Sequence, residues 1–185
     1  MASLLAKRGA KVLDADRIAH EHIQPKGESF NPILKVFGPG ILIKGKIDHK
    51  KLGMIVFKNR GALKRLEKII HPAVVKTIRD EINKYKKNRK SGVVVLDVPL
   101  LFESGLNRYA DVVIVVKATQ VQQIERAQKR LNINKKQALG RIRSQMPLSS
   151  KIRLADFIID NRGNLKETKK QVEKIWRELS LRIKS

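Results

Sequence analysis

The chain has 185 residues, enough for one domain with a real core, and 42% of them are hydrophobic. With 41 Lys and Arg against 17 Asp and Glu it carries a formal net charge of +24, which favours polyanionic partners such as nucleic acid or nucleotide phosphates, but which a solvated lysine-rich surface would give equally well. The lack of cysteine excludes disulfides and thiol chemistry and suits a reducing cytoplasm, no apolar run reaches the ~20 residues of a membrane span, and 4% aromatic content argues against base-stacking platforms.

Ser3 to Arg8 reads as the tail of a helix with Gly9 as its cap. A helix rarely begins at a third residue with no lead-in, so the expectation is of a chain cut ahead of this point. Ala10 to Asp16 is a short strand ending in two aspartates, and period two puts both carboxylates on one side if strand geometry persists. Arg17 to His20 then opens a helix. Residues 24–47 carry Pro25, Gly27, Pro32, Gly38, Pro39, Gly40 and Gly45, a loop-rich region with short helical pieces. Asp48 is placed to cap a helix reaching Phe57. Ala62 to Ile70 forms another, with Leu63, Leu66, Ile69 and Ile70 on one stripe. His71-Pro72 is expected to break it, with Pro72 opening a further helix to about Lys90.

Gly92 to Glu103 is the central stretch. Val93 to Leu96 follow a Ser-Gly breaker and stop at Asp97, which reads as a strand buried on both faces of a parallel sheet. Ligands in such sheets bind outside the carboxyl ends of the strands, which is where Asp97, Pro99 and Glu103 fall. Asp97 could equally be no more than the cap of a turn. Ala110 to Val116 is a second buried strand. Thr119 with Gln122, and Asn134 with Gln137, each spell a capping box. The first opens a helix bearing Arg126 and Arg130. The second opens one bearing Arg141, Arg143 and Gln145 that ends at Met146-Pro147. Asp156 to Asp160 is a last strand, Asn161-Arg162-Gly163 its turn, and Leu165 to about Ile183 a closing amphipathic helix around Trp176, which is read as core. Strands alternating with helices argue for an α/β domain with a mainly parallel sheet. The helical block from 18 to 90 is too long for an ordinary crossover and reads as an inserted subdomain.

Several of these segments carry a resemblance. Val12 to His20, Phe37-Gly38, His71-Pro72, Pro99-Leu100-Leu101-Phe102-Glu103, Arg141 to Pro147 with Lys151, Ala155-Asp156, and Ile159-Asp160-Asn161 with Gly163 resemble, in order, the segments of dephospho-coenzyme A kinases. The resemblance covers nearly the whole chain. It implies an α/β three-layer fold of the P-loop, nucleoside-monophosphate-kinase-like kind, with a parallel sheet flanked by helices. Residues 1–17, 91–118 and 152–185 would form the core, 18–90 a helical substrate subdomain and 119–151 a lid. One departure matters. The family opens with a strand and a Gly-x-x-x-x-Gly-Lys-Ser/Thr phosphate loop, and no such run occurs in these 185 residues. The expectation is therefore a chain starting just past its first strand and phosphate loop, through a start site assigned too late or a real deletion. Such a chain would be poorly stable and turn over little by itself.

The resemblance implies phosphoryl transfer from ATP, with Mg²⁺, to the ribose 3′-hydroxyl of dephospho-coenzyme A, the last step of coenzyme A biosynthesis. Such a step needs positioning and charge neutralisation more than covalent help. By similarity Asp16, with Asp14 close by, orients or deprotonates the hydroxyl, although a turn and helix cap would account for both aspartates without the other motifs. Asp97 holds Mg²⁺ through water. Arg17 holds an acceptor phosphate, and His71, Pro99 and Leu100 complete the substrate site. Arg126, Arg130, Gln145 and Asn161 serve ATP and the lid, with Arg141 the arginine expected at the transferring phosphoryl group and Arg143 a surface residue. Asp14 and Asp16 should face a nucleotide cleft beneath the arginine-bearing flap. His71 by itself reads as a helix-junction residue, and His20, His22 and His49 show no metal-ligand pattern. The implied protein is a cytoplasmic monomer whose partners are ATP and dephospho-coenzyme A, with no membrane. Two rivals stand beside it. One is another small-molecule kinase of the same architecture, against which the Asp-x-Asp and His-Pro segments weigh. The other is a basic nucleic-acid-binding protein, against which stands the lack of a helix gathering bases beside residues suited to base edges.

Overall fold

The computed structural model describes residues 1–88 and 92–184. The chain divides into two compact units. The first is Met1–Val12, Ser91–Val95 and Pro99–Ser185; the second is Leu13–Lys90 with Leu96–Val98.

In the first unit, α1 (Ala2–Ala6) is followed by Gly9 at φ +98°, a backbone conformation that glycine adopts without strain. The chain then enters β1 (Lys11–Asp14), whose hydrogen-bonded neighbour is β4 (Val94–Asp97); Lys11 N–H donates to Val93 O at 2.9 Å. Both strands cross from the first unit into the second and end on an aspartate. β4 is half-buried, not sealed on both faces as its apolar run suggests, and Asp97 is exposed. A parallel pair is formed by β5 (Ile114–Lys117) with β6 (Phe157–Asp160), in register from Ile114 opposite Phe157 to Lys117 opposite Asp160. Asp156 fixes the entry to that pair, accepting from Val113 N–H at 2.7 Å through its side chain while its own N–H donates to Val113 O at 2.9 Å. Asn161 N–H donates to Lys117 O at 2.8 Å and carries the ladder one residue further. Leu5, Ala10, Ile159, Val172 and Ile175 form the core here, and Val93, Val95, Ile114 and Val116 pack against it. Among the described residues β4 and β5 both line this cluster without bonding to one another.

Both capping boxes are present. Thr119 Oγ1 accepts from Gln122 N–H at 3.2 Å while Gln122 Oε1 accepts from Thr119 N–H at 3.1 Å, opening α6 (Gln120–Leu131). Asn134 and Gln137 do the same for α7 (Lys135–Arg143), which packs on α6. After Pro147 the chain forms a further short helix, α8 (Leu148–Arg153), which the sequence reading left out. The closing helix α9 (Leu165–Lys184) packs on β6 and α1. Trp176 is only partly buried, packed against the core and not inside it.

The second unit is helical. Asp14 caps α2 (Ala15–His22). Then come α3 (Phe30–Phe37) and a hairpin of β2 (Leu42–Ile43) and β3 (Lys46–Ile47), turned at Lys44 (φ +48°) and Gly45 (φ +74°). Two successive positive φ values make this a two-residue hairpin turn, where a loop-rich region with short helical pieces is expected from the sequence. Asp48 caps α4 (His49–Lys58), accepting from Lys51 N–H at 2.7 Å.

The largest correction is at His71-Pro72. The helix does not break there: α5 (Arg60–Lys87) runs through Pro72. An interior proline costs about 3 kcal/mol. Burial on both sides offsets that. Leu63, Leu66, Ile69 and Ile70 pack on the cluster of Ile23, Phe30, Ile33, Ile41, Ile47, Leu52, Val56 and Ala62, and Ala73, Val74 and Ile78 are buried beyond the proline. Pro72 itself is exposed. The helix ends at Lys87 with Asn88 as its C-cap, three residues short of the expected Lys90, and the core boundary expected at 90/91 lies outside the described residues.

Gly27 is where a side chain has no room: a Cβ there would meet the backbone carbonyls of His22 and Glu21. Gly27→Ala is expected to destabilise the protein by about 1–3 kcal/mol, and Gly40→Ala, where nothing lies within 4 Å, by under about 0.5 kcal/mol. Denaturant midpoints of the two variants check this.

Candidate active site

The candidate residues fall in both units and are described unit by unit. At the end of β1, Asp14 Oδ1 accepts from Arg17 N–H at 3.0 Å, the bond that caps α2. Extended geometry stops at Asp14, so Asp16 is not a strand residue, and the expectation that period two aligns the two carboxylates fails. Asp16 instead lies exposed in the first helical turn, where the helix dipole favours an anion. Among the described residues it has no hydrogen-bond or ion-pair partner. Arg17, also exposed, pairs with Glu21 at 2.7 Å. His71 is partly buried in the interior of α5. Asp97 closes β4, the neighbour of β1. All five residues belong to the second unit.

The remaining candidates, Pro99, Leu100, Arg126, Arg130, Arg141, Gln145 and Asn161, belong to the first. Arg126 and Arg130 stand one helical turn apart on α6, and Arg141 is in the last turn of α7; all three are exposed. Arg126 Nη2 donates to Asn161 O at 3.1 Å and Gln122 Nε2 to Arg162 O at 2.9 Å, so α6 grips the turn after β6. Thr168, fully buried, donates to Asn161 Oδ1 at 3.1 Å and to Asn164 O at 3.1 Å. Gln171 clamps Asp160, accepting its N–H at 2.8 Å and donating to its carbonyl at 2.9 Å. Asn161 is thereby held from two helices, its side-chain amide oxygen by Thr168 of α9 and its backbone carbonyl by Arg126 of α6.

Two further residues of the family-like segments, Glu103 and Lys151, meet within the first unit. Lys151 Nζ donates to Pro99 O at 2.8 Å and Gln145 Oε1 at 3.2 Å and lies 3.3 Å from Glu103 Oε1. Glu103 Oε1 also accepts from Met146 N–H at 2.7 Å. Burial pushes the Glu103 carboxyl up, but the Met146 N–H and the Lys151 ammonium together hold it below the usual range. The sequence signal for both was their place within those segments.

Elsewhere, His22 Nε2 and Thr77 Oγ1 are 2.8 Å apart between α2 and α5, and His20 stacks on His49 at 4.8 Å. Burial, then the neighbouring His20, lowers the His49 pKa. These contacts are structural. Among the described residues no three His, Asp or Glu side chains gather as a metal cluster, and no helix is long and apolar enough to cross a membrane.

The dephospho-CoA kinase family model matches residues 1–167. The chain belongs to the dephospho-CoA kinase family. It is 40% identical over 175 residues to a dephospho-CoA kinase of Carboxydothermus hydrogenoformans, covering 93% of this chain and 84% of that one. With its counterpart from Bacillus anthracis it shares 42% over 174 residues, 92% and 85% of the two chains. A dephospho-CoA kinase structure from Campylobacter jejuni superposes with a TM-score of 0.70 at 30% identity, over 97% of this chain and 89% of that one. A crystal structure from Thermus thermophilus gives 0.74 at 29%, over 96% and 89%. This member of the dephospho-CoA kinase family accordingly has the α/β fold of parallel strands flanked by helices.

Two measurements check the site's frame. Arg162 holds the Asp160 carboxyl at about 2, against an ordinary 3.8, through its side-chain and backbone bonds. A depressed carboxyl stabilises the fold above its ordinary value, and that contribution is lost as pH falls through about 2. NMR titration should find Asp160 there, and in Arg162→Met, which keeps the backbone N–H bond, higher but still below the ordinary range. Thr168→Val leaves Asn161 Oδ1 without its buried donor and should destabilise by about 1–3 kcal/mol in chemical denaturation.

Proposed function

We propose that the chain carries out ATP-dependent phosphorylation of the ribose 3′-hydroxyl of dephospho-coenzyme A, giving coenzyme A. The observation that carries this reading is the family match over residues 1–167. The local geometry favours it at Asp16, an exposed carboxylate at the positive end of α2, directly after a strand. Asp16 orients the acceptor hydroxyl and takes its proton. Asp14 supports it by capping α2. Arg17, His71, Pro99 and Leu100 hold the acceptor. Arg126, Arg130, Gln145 and Asn161 bind ATP, and Arg141 meets the charge that develops on the transferring phosphoryl group. Residues 18–90 carry the substrate, 119–151 act as the lid, and lid closure keeps water from the phosphoryl group.

A magnesium ion fits these residues, because Mg²⁺ typically takes one or two carboxylates and completes its shell with water and phosphate oxygens. Asp97, exposed at the end of β4, would hold it through water. When bound, the ion neutralises phosphate charge.

The 185 residues contain no Gly-x-x-x-x-Gly-Lys-Ser/Thr run, the element whose N–H groups and lysine cradle the β- and γ-phosphates. Residues 1–185 by themselves should therefore turn over slowly, and a version with such a strand and loop placed ahead of Met1 should be faster. The test assays coenzyme A formation from ATP and dephospho-coenzyme A by both forms. Formation by either, lowered about 10²–10⁴-fold by Asp16→Asn, is the expected result. If neither form makes coenzyme A or binds dephospho-coenzyme A, the reading is wrong.

A further inference from the structure

We propose that Glu103 and Lys151 are positioning residues, a latch that fixes the turn between α7 and α8 against the loop after β4; the proposal rests on the kinase reading above. Four observations carry it.

Lys151 stands apart from the chain's many solvated cations, its side chain only 14% exposed and that of Glu103 24%. A lysine so covered needs partners for its charge. Three oxygens surround its ammonium: Pro99 O at 2.8 Å, Gln145 Oε1 at 3.2 Å and Glu103 Oε1 at 3.3 Å. An ammonium has three N–H donors, so its capacity is matched. Glu103 then uses the same oxygen for Met146 N–H at 2.7 Å. One carboxylate thus holds both the lysine and the backbone between Gln145 and Pro147. Finally, Ser104 Oγ donates to Leu100 O at 2.7 Å, which closes the loop on its other side.

The latch joins positions far apart in sequence and places Pro99 and Gln145 on a single ammonium. Its effect is to root the C-terminal end of the 119–151 segment, so that the helix bearing Arg141 swings from a fixed base. Arginine would serve poorly at 151, because a planar fork cannot present three donors around one point.

The test uses the full chain in four forms: wild type, Lys151→Met, Glu103→Gln and Glu103→Ala. NMR follows exchange of the Met146 amide, and calorimetry measures dephospho-coenzyme A and ATP binding from pH 3.5 to 8. Lys151→Met and Glu103→Ala should speed Met146 exchange and weaken substrate binding by about tenfold, the scale of a lost charge-assisted bond. Glu103→Gln keeps an acceptor for Met146 and loses the charge. It should retain amide protection while removing the fall in affinity that wild type shows on acidification, where the depressed Glu103 carboxyl takes up a proton facing Lys151. A purely structural pair would leave that pH profile unmoved. Wild-type affinity and pH dependence in both Lys151→Met and Glu103→Gln, or unchanged Met146 exchange in Glu103→Ala, overturns the latch. If neither wild type nor the version with a strand and phosphate loop ahead of Met1 binds either substrate, the kinase reading falls and the latch's functional role falls with it; Met146 exchange, which needs no substrate, reports separately whether the contact itself exists.

Discussion

One hydrogen bond sets the geometry where β1 gives way to α2. The carboxylate of Asp14 accepts the N–H of Arg17 and turns strand into helix within a residue. Had the chain stayed extended, Asp16 would share a face with Asp14. Because the cap forms, Asp16 lies in the first helical turn instead, among N–H groups that have no intrahelical acceptor. The cap therefore engages one of two neighbouring carboxylates and leaves the other, among the described residues, without a hydrogen-bond or ion-pair partner.

The same division runs through the chain. Acidic residues are scarce beside the cations, and several are committed to backbone: Asp48 to α4, Asp156 to the entry of the β5–β6 pair, Glu103 to Met146. Where an acid also meets a cation in partial shelter, as Glu103 meets Lys151, the pair lies between segments distant in sequence. The surplus of positive charge is mostly surface. Its informative members are the few held by protein groups, such as Lys151 and Arg126, and not the long run of solvated lysines.

Local chemistry was legible in the sequence. Thr119 with Gln122, Asn134 with Gln137, and Asp48 each act within four residues, and each does what its residue type suggests. The stripe from Leu63 to Ile70 faces the core as its period requires. The failures share a cause. Pro72, the hairpin at Lys44-Gly45 and the half-burial of β4 depend on what packs alongside, and a linear pattern does not carry that. The site divides the same way. Asp16 and Arg141 are candidates that short motifs put forward, whereas the contacts of Lys151, Thr168 and Gln171 emerge only when partners 7 to 52 residues away come within hydrogen-bond reach.

The proline inside α5 has a consequence for how the second unit comes together. That helix spans 28 residues, about 42 Å at 1.5 Å per residue, and α2, α3 and α4 all rest on it. A peptide of that stretch alone would split near its middle into two segments, each too short to persist in water. The rod is continuous only because its lodgers hold it so. The stability of scaffold and lodgers is therefore linked, since each supplies the surface that keeps the other in place.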